Sequence, residues 1–141
     1  MTTTNLNACP CGGGTIKQSN KKCVARHVDC CQPYHHGTPA PTAVALMRSR
    51  YSAFAFGMHD YLQATWHPRT RPAPHTDVQL DWIGLTIVRH EMIGNTHAKV
   101  SFIARYRAND RLHRLTETSC FVREIGDDGL LRWFYVGGDV S

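Results

Sequence analysis

The sequence predicts an α+β fold in which helices cover one side of a curved antiparallel sheet, with a small cysteine-rich segment in front. Three observations lead to this prediction. Five of the six cysteines lie within residues 9–31, apolar residues recur at spacings of three and four after Ala43, and an alternation of period two begins near Trp82. Helices followed by a run of strands are typical of α+β domains.

The composition is that of one folded globular domain. With 141 residues, the chain can hold one hydrophobic core and a small appendage, but not two full cores. The first seven residues have no basic start and no apolar run, and no segment approaches the roughly 20 apolar residues of a membrane span. We therefore expect a cytoplasmic protein without a membrane span, whose reduced cysteines are metal ligands and core residues rather than disulfides.

The cysteine-rich segment, residues 1–37, has no sustained apolar period, so a metal must supply most of its order. Two of its cysteines, Cys9 and Cys11, stand before three glycines, which let the backbone fold tightly around a metal. Cys30 and Cys31 offer two further thiolates. Four sulfur ligands suit a tetrahedral zinc ion and leave no open position for water, so we expect a structural Zn²⁺ site rather than a catalytic one.

Helical periodicity marks the start of the second domain, residues 38–141, after a stiff Thr-Pro-Ala-Pro hinge. Thr42 is a typical helix cap, and Gly57 ends the first helix. A shorter helix is predicted over residues 58–66, before a proline-rich loop over 68–76. The apolar stripe of the first helix consists of Val44, Met47, Tyr51, Phe54 and Ala55.

Strands fill the rest of the chain after a single turn predicted near Asp77–Asp81. The four predicted strands are Trp82–Ile93, His97–Ala108, Leu112–Glu124 and Leu130–Gly137. Short links rich in glycine, asparagine and aspartate separate them, so the strands should form an antiparallel meander.

Several stretches give the chain a family resemblance. Residues 9–12 (CPCG) with the cysteine pair 30–31 resemble the SEC-C metal-binding motif. Residues 45–54 (ALMRSRYSAF) and 65–68 (TWHP) resemble the bacterial YchJ family, and the match extends over nearly the whole chain. The resemblance implies a nuclear transport factor 2-like cone, with helices packed on a curved antiparallel sheet, behind an SEC-C zinc knuckle over residues 1–37. It also implies a homodimer paired through the exposed sheet face.

One departure from the family leaves the ligand set open, because residues 12–29 form a longer insertion between the second cysteine and the cysteine pair. Cys23 and His27 lie inside this insertion at a spacing of four, so both could face one metal if they shared a helical turn. We favour Cys9, Cys11, Cys30 and Cys31 as ligands. The alternatives are a set in which Cys23, His27, His35 or His36 replaces one of these, and no metal at all.

A cone of this kind is expected to enclose a ligand pocket where a few polar groups converge among apolar ones. The candidate lining residues are Arg48, Tyr51, Trp66, His67, Glu117, Ser119 and Phe121. His67 oriented by Glu117 could act as a general base. Arg48 paired with Glu117 could equally hold helix to sheet, and we favour this structural interpretation. The sequence contains no phosphate-binding loop or nucleophile motif, so catalytic residues are unknown.

Three functions are compatible with these features. The favoured hypothesis is a binding or adaptor protein whose zinc knuckle docks a protein partner and whose cone holds a small-molecule ligand. The first alternative is a small enzyme acting in the cone pocket. The second is nucleic-acid binding through Lys17, Lys21, Lys22 and Arg26, which give residues 1–37 an excess of positive charge. We rank it last because no aromatic residues interleave this basic stretch.

Overall fold

A computed structural model of the protein describes residues 8–12, 15–18, 21–24, 27–73 and 80–140. Within these ranges the helices are α1 (Gln32–His35), α2 (Ala43–Phe56) and α3 (His59–Ala64), with a 3-10 helix at His27–Asp29. The strands are β1 (Thr15–Gln18), β2 (Lys21–Val24), β3 (Asp81–Ile93), β4 (His97–Ala108), β5 (Arg111–Ile125) and β6 (Leu131–Val140). The predicted α+β class and the order of helices and strands in the second domain are confirmed.

The large sheet is an antiparallel meander in the order β3-β4-β5-β6, as predicted. Register shifts interrupt β3 at two places and the β5–β6 pairing between Cys120 and Phe121. Such irregularities bend a strand and increase its twist, so they account for the curvature of the sheet. The inner face carries the buried β4 residues Val100 and Phe102, which lie opposite Ser119 and Glu117 of β5.

Helix α2 begins and ends where its sequence predicts. The Thr42 side chain accepts a hydrogen bond from the Ala45 amide at 3.0 Å, which satisfies one of the free donors of the first turn. At the other end, Gly57 adopts a left-handed conformation with φ of 71°, and the Met58 amide donates to the Ala53 carbonyl at 2.8 Å. This glycine-dependent arrangement closes the last turn.

A buried arginine joins α2 to α3 and to the sheet edge. Arg50 is only 2% exposed, and its Nη1 donates to the Leu62 carbonyl at 2.8 Å and to Thr65 Oγ1 at 2.6 Å. Its guanidinium lies 4.5 Å from the ring centre of Tyr135, a cation–π contact. Burial lowers the pKa of Arg50 to about 10, so the group stays charged at neutral pH.

Residues 65–67 add a short parallel segment to the edge of β6. The Tyr135 amide donates to the Thr65 carbonyl at 2.8 Å, and the His67 amide donates to the Tyr135 carbonyl at 2.7 Å. The chain therefore leaves α3 along the sheet rather than into solvent, which accounts for the end of the helix before His67.

One hydrophobic cluster connects the sheet with the cysteine-rich segment. It contains Leu46, Met47 and Tyr51 of α2 together with Cys9, Cys11 and Cys31, and its sheet members include Val100, Phe102, Phe121 and Trp133. None of the five cysteines whose side chains are described forms a disulfide. Among the described helices, none combines the length and the apolar composition that a bilayer span requires.

Two local features differ from the sequence prediction or lie beyond its test. The β1–β2 hairpin was not predicted, although Thr-Ile-Lys-Gln and Lys-Lys-Cys-Val around a Ser-Asn pair have the spacing of a two-residue hairpin. The prediction that metal supplies most of the order of this segment leaves this local signal unused. The turn expected near Asp77–Asp81 lies largely outside the described residues.

The left-handed end of α2 gives a stability prediction. Replacing Gly57 with alanine should lower the free energy of unfolding by about 1–2 kcal/mol, because a Cβ disfavours positive φ. The matched control is Gly84→Ala in β3, where an added Cβ would meet no atom within 4 Å. Urea denaturation of both variants checks this, and equal midpoints would contradict it.

Candidate metal centre

Four cysteine side chains converge where the N-terminal segment meets α2. The ligand-type atoms of Cys9, Cys11, Cys30 and Cys31 all lie within 4.8 Å of one another. The Sγ of Cys30 is 3.5 Å from that of Cys11 and 3.9 Å from that of Cys31. Three of the four residues are buried, and Cys30 is partly exposed.

Local backbone turns bring each cysteine pair together. The Gly12 amide donates to the Cys9 carbonyl at 3.1 Å, and Gly12 has φ of 64°, a conformation that glycine adopts without steric cost. On the other side, the Cys30 amide donates to the His27 carbonyl at 3.0 Å, which closes the 3-10 helix. Cys31 then caps α1, so both pairs sit on short, well-defined turns.

The sulfur spacing fits a tetrahedral zinc ion. With Zn–S bonds of about 2.3 Å, a tetrahedron places its sulfurs about 3.8 Å apart, close to the two Sγ distances given above. Four thiolates this close repel one another unless a cation balances them. Within the cluster, hydrogen bonds from Cys11 and Cys31 lower the pKa of Cys9, whereas burial raises the pKa of Cys30 to about 12. The protein alone therefore does not keep all four sulfurs ionised.

Helix α2 supplies polar contacts to this cluster. The hydroxyl of Ser52, which is fully buried, lies 3.3 Å from the Sγ of Cys9 and 3.4 Å from the Sγ of Cys31. Arg48 Nη1 donates to the Cys11 carbonyl at 3.2 Å. Outer contacts of this kind orient metal ligands and adjust their affinity for the ion.

The alternative ligands are placed differently. Cys23 lies in β2 and His27 begins the 3-10 helix, so the idea that they share a helical turn is wrong. The Cys23 side chain is outside what the structure describes. His27 Nε2 lies 3.0 Å from His35 Nδ1, and His35 Nε2 donates to the Ser49 carbonyl at 2.8 Å. Burial lowers the pKa of His35.

The predicted pocket residues separate into distinct environments. Arg48 faces the cysteine cluster, so the Arg48–Glu117 ion pair was wrong; Glu117 instead accepts hydrogen bonds from Ser119 and from the Tyr135 hydroxyl. The backbone at Gly138 approaches the Glu117 carboxylate so closely that an added Cβ would collide with it.

The aromatic members of the predicted pocket are packing residues. Tyr51 and Phe121 belong to the core, and burial raises the pKa of Tyr51 to about 12. Trp66 packs edge-on against Tyr135, with ring centres 4.8 Å apart. These three aromatic residues therefore have packing contacts rather than positions around one common pocket.

His67 pairs with a carboxylate other than the predicted one. Its Nε2 lies 2.9 Å from Glu124 Oε1, and its Nδ1 accepts a hydrogen bond from the Arg69 amide at 3.1 Å. The Nδ1 contact places the ring proton on Nε2, which donates to Glu124. Both ring nitrogens are thus engaged, and the expected approach of His67 to Glu117 was wrong.

An open groove lies beside the knuckle. It has a volume of about 1160 Å³ and is bounded by residues 34–40, the chain from Gly57 to Arg71 and the β5–β6 hairpin. Of the seven predicted pocket residues, only His67 lines it.

Sequence reasoning missed three residues that matter here. Arg50 and Ser52 were quoted only as part of the family run, and Glu124 was only the end of a strand. Arg50 and Ser52 flank Tyr51 of the apolar stripe in the sequence, and this neighbourhood is a weak signal for buried polar side chains. No comparable signal in the sequence pairs Glu124 with His67.

Comparison with protein families matches residues 42–138 to the model of the YchJ middle domain, described as nuclear transport factor 2-like. Similar proteins include a UPF0225 protein of Chromobacterium violaceum, 46% identical, covering 95% of this chain and 93% of the relative. A UPF0225 protein of Polaromonas naphthalenivorans is also 46% identical, covering 93% of this chain and 96% of the relative.

Two solved structures resemble the whole chain. The crystal structure of a SEC-C motif protein from Psychrobacter arcticus has a TM-score of 0.78 and 30% identity, covering 96% of this chain and 84% of the other. The solution structure of RPA3114, a SEC-C motif protein from Rhodopseudomonas palustris, has a TM-score of 0.72 and 28% identity. The match covers 94% of this chain and 97% of the other. These likenesses agree with a nuclear transport factor 2-like fold preceded by a cysteine knuckle.

The Ser52 contacts give a prediction about metal retention. Ser52→Ala should release bound zinc to a chelator about 10- to 100-fold faster, because the Cys31 sulfur loses a hydrogen-bond donor and the Cys9 sulfur loses a polar contact. Ser49→Ala is the matched control: it lies on the same helix and is equally buried, but it bonds Tyr61 instead. A chromogenic chelator assay compares the two, and equal release rates would argue against the role of Ser52.

Proposed function

Because the chain belongs to the YchJ family, we propose that it is a binding or adaptor protein in which a structural zinc ion holds the N-terminal segment against the cone. The convergence of Cys9, Cys11, Cys30 and Cys31 carries this proposal. Such a segment can present a docking surface for a protein partner, and the reduced thiols that it needs agree with a cytoplasmic location.

The proposed zinc ion is structural because its ligand sphere is closed. Four thiolates complete a tetrahedron, and Cys11 and Cys31 are each only 1% exposed, so neither water nor substrate has access to an open position. The ion would balance the negative charge of the crowded thiolates and fix the short turns that carry them.

Two alternatives draw less support. An enzyme in the cone would need Arg48, His67 and Glu117 to converge, but their hydrogen bonds go to three separate places. Nucleic-acid binding would use basic side chains that lie outside what the structure describes. The homodimer and the small-molecule ligand implied by the resemblance stay predictions.

The ligand set is tested by metal content. Purified wild-type protein should contain one zinc ion per chain by elemental analysis, and Cys30→Ser should lose most of it, because three thiolates bind zinc far more weakly than four. Cys120→Ser, whose residue lies on β5 away from the cluster, should keep it. Zinc loss in Cys23→Ser but not in Cys30→Ser would contradict the proposed set.

The adaptor role is tested with the full-length chain as bait. Immobilised wild-type protein and the Cys30→Ser variant are exposed to the same lysate, and bound proteins are quantified by mass spectrometry with Cys120→Ser as the control. We expect specific proteins that bind wild type and Cys120→Ser but not Cys30→Ser. Identical bound sets for all three baits would contradict zinc-dependent docking.

A further inference from the structure

We propose that the groove beside the knuckle binds an extended basic segment of a partner protein. This inference rests on the proposed binding function and names the chemistry of the partner. It concerns a surface that none of the four clustered cysteines lines. The argument comes from the size of the groove, its charge and its apolar lining.

The groove is larger than a typical small-molecule site. Its volume of about 1160 Å³ exceeds the roughly 300–1,000 Å³ of ordinary ligand pockets. Its walls come from residues 34–40, the chain from Gly57 to Arg71 and the β5–β6 hairpin, together with Leu46 of α2. An extended peptide fits this shape better than a compact cofactor does.

The rim of the groove is acidic on a basic protein. Four carboxylates line it, against two guanidinium groups, whereas the whole chain carries a net charge of +5. The acidic residues are Asp60, Glu124, Asp127 and Asp128. Such a rim repels phosphate-bearing ligands and attracts cations, so nucleic acid and anionic lipid are disfavoured here.

The two guanidinium groups are held by the protein itself. Arg132 donates to Asp128 and, at 2.7 Å, to the Gly37 carbonyl, and its hydrogen bond lowers the pKa of Asp128. Arg71 donates through Nε and Nη2 to the Trp66 carbonyl at 3.1 and 2.8 Å. Neither arginine is therefore directed at an anionic ligand.

One acidic group on the rim is held in position. Glu124 is exposed, but its Oε1 accepts from His67, which is itself only 8% exposed and packed edge-on against Phe134. A carboxylate oriented by a buried histidine loses less side-chain entropy on meeting a lysine or arginine.

Apolar surface accompanies the acidic rim. Leu46, Trp133 and Phe134 line the groove from the buried side, and Ile125 lines it while remaining 65% exposed. A partner segment that alternates basic and apolar side chains would match both features, because alternate residues of an extended peptide point to opposite sides.

The proposal is tested on the full-length, zinc-loaded protein by fluorescence anisotropy. The probe is a short fluorescein-labelled peptide of alternating lysine and valine, and a second peptide carries glutamate in place of lysine. We expect measurable, salt-sensitive binding of the lysine peptide only. Binding of both peptides with similar affinity would overturn the proposal.

Charge variants locate the binding. The double variant Asp60→Asn with Asp127→Asn removes two exposed rim carboxylates. It should lower the affinity for the lysine peptide about five- to tenfold. The control is the double variant Asp81→Asn with Asp110→Asn, which changes the net charge equally but away from the groove. It should lower the affinity for the lysine peptide by less than about twofold. Equal weakening by both pairs would show attraction by overall charge and overturn the groove site.

Two further measurements distinguish failure of the groove proposal from failure of the adaptor proposal. Spermidine, added at the same concentration of positive charge as the lysine peptide, should displace that peptide poorly. If spermidine binds as tightly as the peptide, and if its binding depends equally on Asp60 and Asp127, the site accepts small polycations and the assignment to a peptide is overturned. Zinc content of the rim variants should equal that of wild type. If the lysine peptide fails to bind while zinc-dependent partners are still captured, this inference falls and the adaptor proposal stands.

Discussion

The contact between Ser52 and two cysteine sulfurs is the point at which the N-terminal segment and the cone become one structure. Ser52 lies fully buried in α2, and its hydroxyl reaches the sulfurs of Cys9 and Cys31. Because the same helix packs on the sheet through Met47 and Tyr51, the cysteines share one hydrophobic cluster with the sheet. A metal bound at the sulfurs would therefore stabilise the main core as well as the segment that carries its ligands.

The opposite side of α2 makes an equally specific contact. Residues two apart on an α-helix are separated by about 200° around its axis, so Arg50 points away from Ser52. Arg50 binds the end of α3 and covers Tyr135 at the sheet edge. Burying a guanidinium is costly unless its donors are satisfied, and these hydrogen bonds and the aromatic ring offset part of that cost. The helix is thus fixed on both sides by polar groups, which specify its rotation more strictly than apolar packing alone.

The elements that sequence predicted well depend on local information. The bounds of α2 and the presence of the four long strands follow from caps, glycines and the change of period from 3.6 to two, all visible within a few neighbouring residues, although β6 continues to Val140, beyond its predicted end at Gly137. The convergence of the four cysteines followed from residue chemistry. The pairing of His67 with Glu124 could not be predicted, because it depends on the path of residues 65–67 along β6 and on how the β5–β6 hairpin pairs. Both are tertiary features without a local signature.

The metal centre and the groove are physically connected, although they use different residues. The segment 34–40 that forms one wall of the groove follows directly after Cys31, so the sulfur cluster fixes its beginning. Arg132 fixes it a second time through the Gly37 carbonyl, from the opposite wall. Loss of the proposed metal would free the attachment at Cys31, whereas the contacts of Gly37 with Arg132 and of His35 with the Ser49 carbonyl would remain. The proposed zinc ion would therefore influence the proposed binding in the groove by fixing where the wall at residues 34–40 begins, although none of the four cysteines lines the groove.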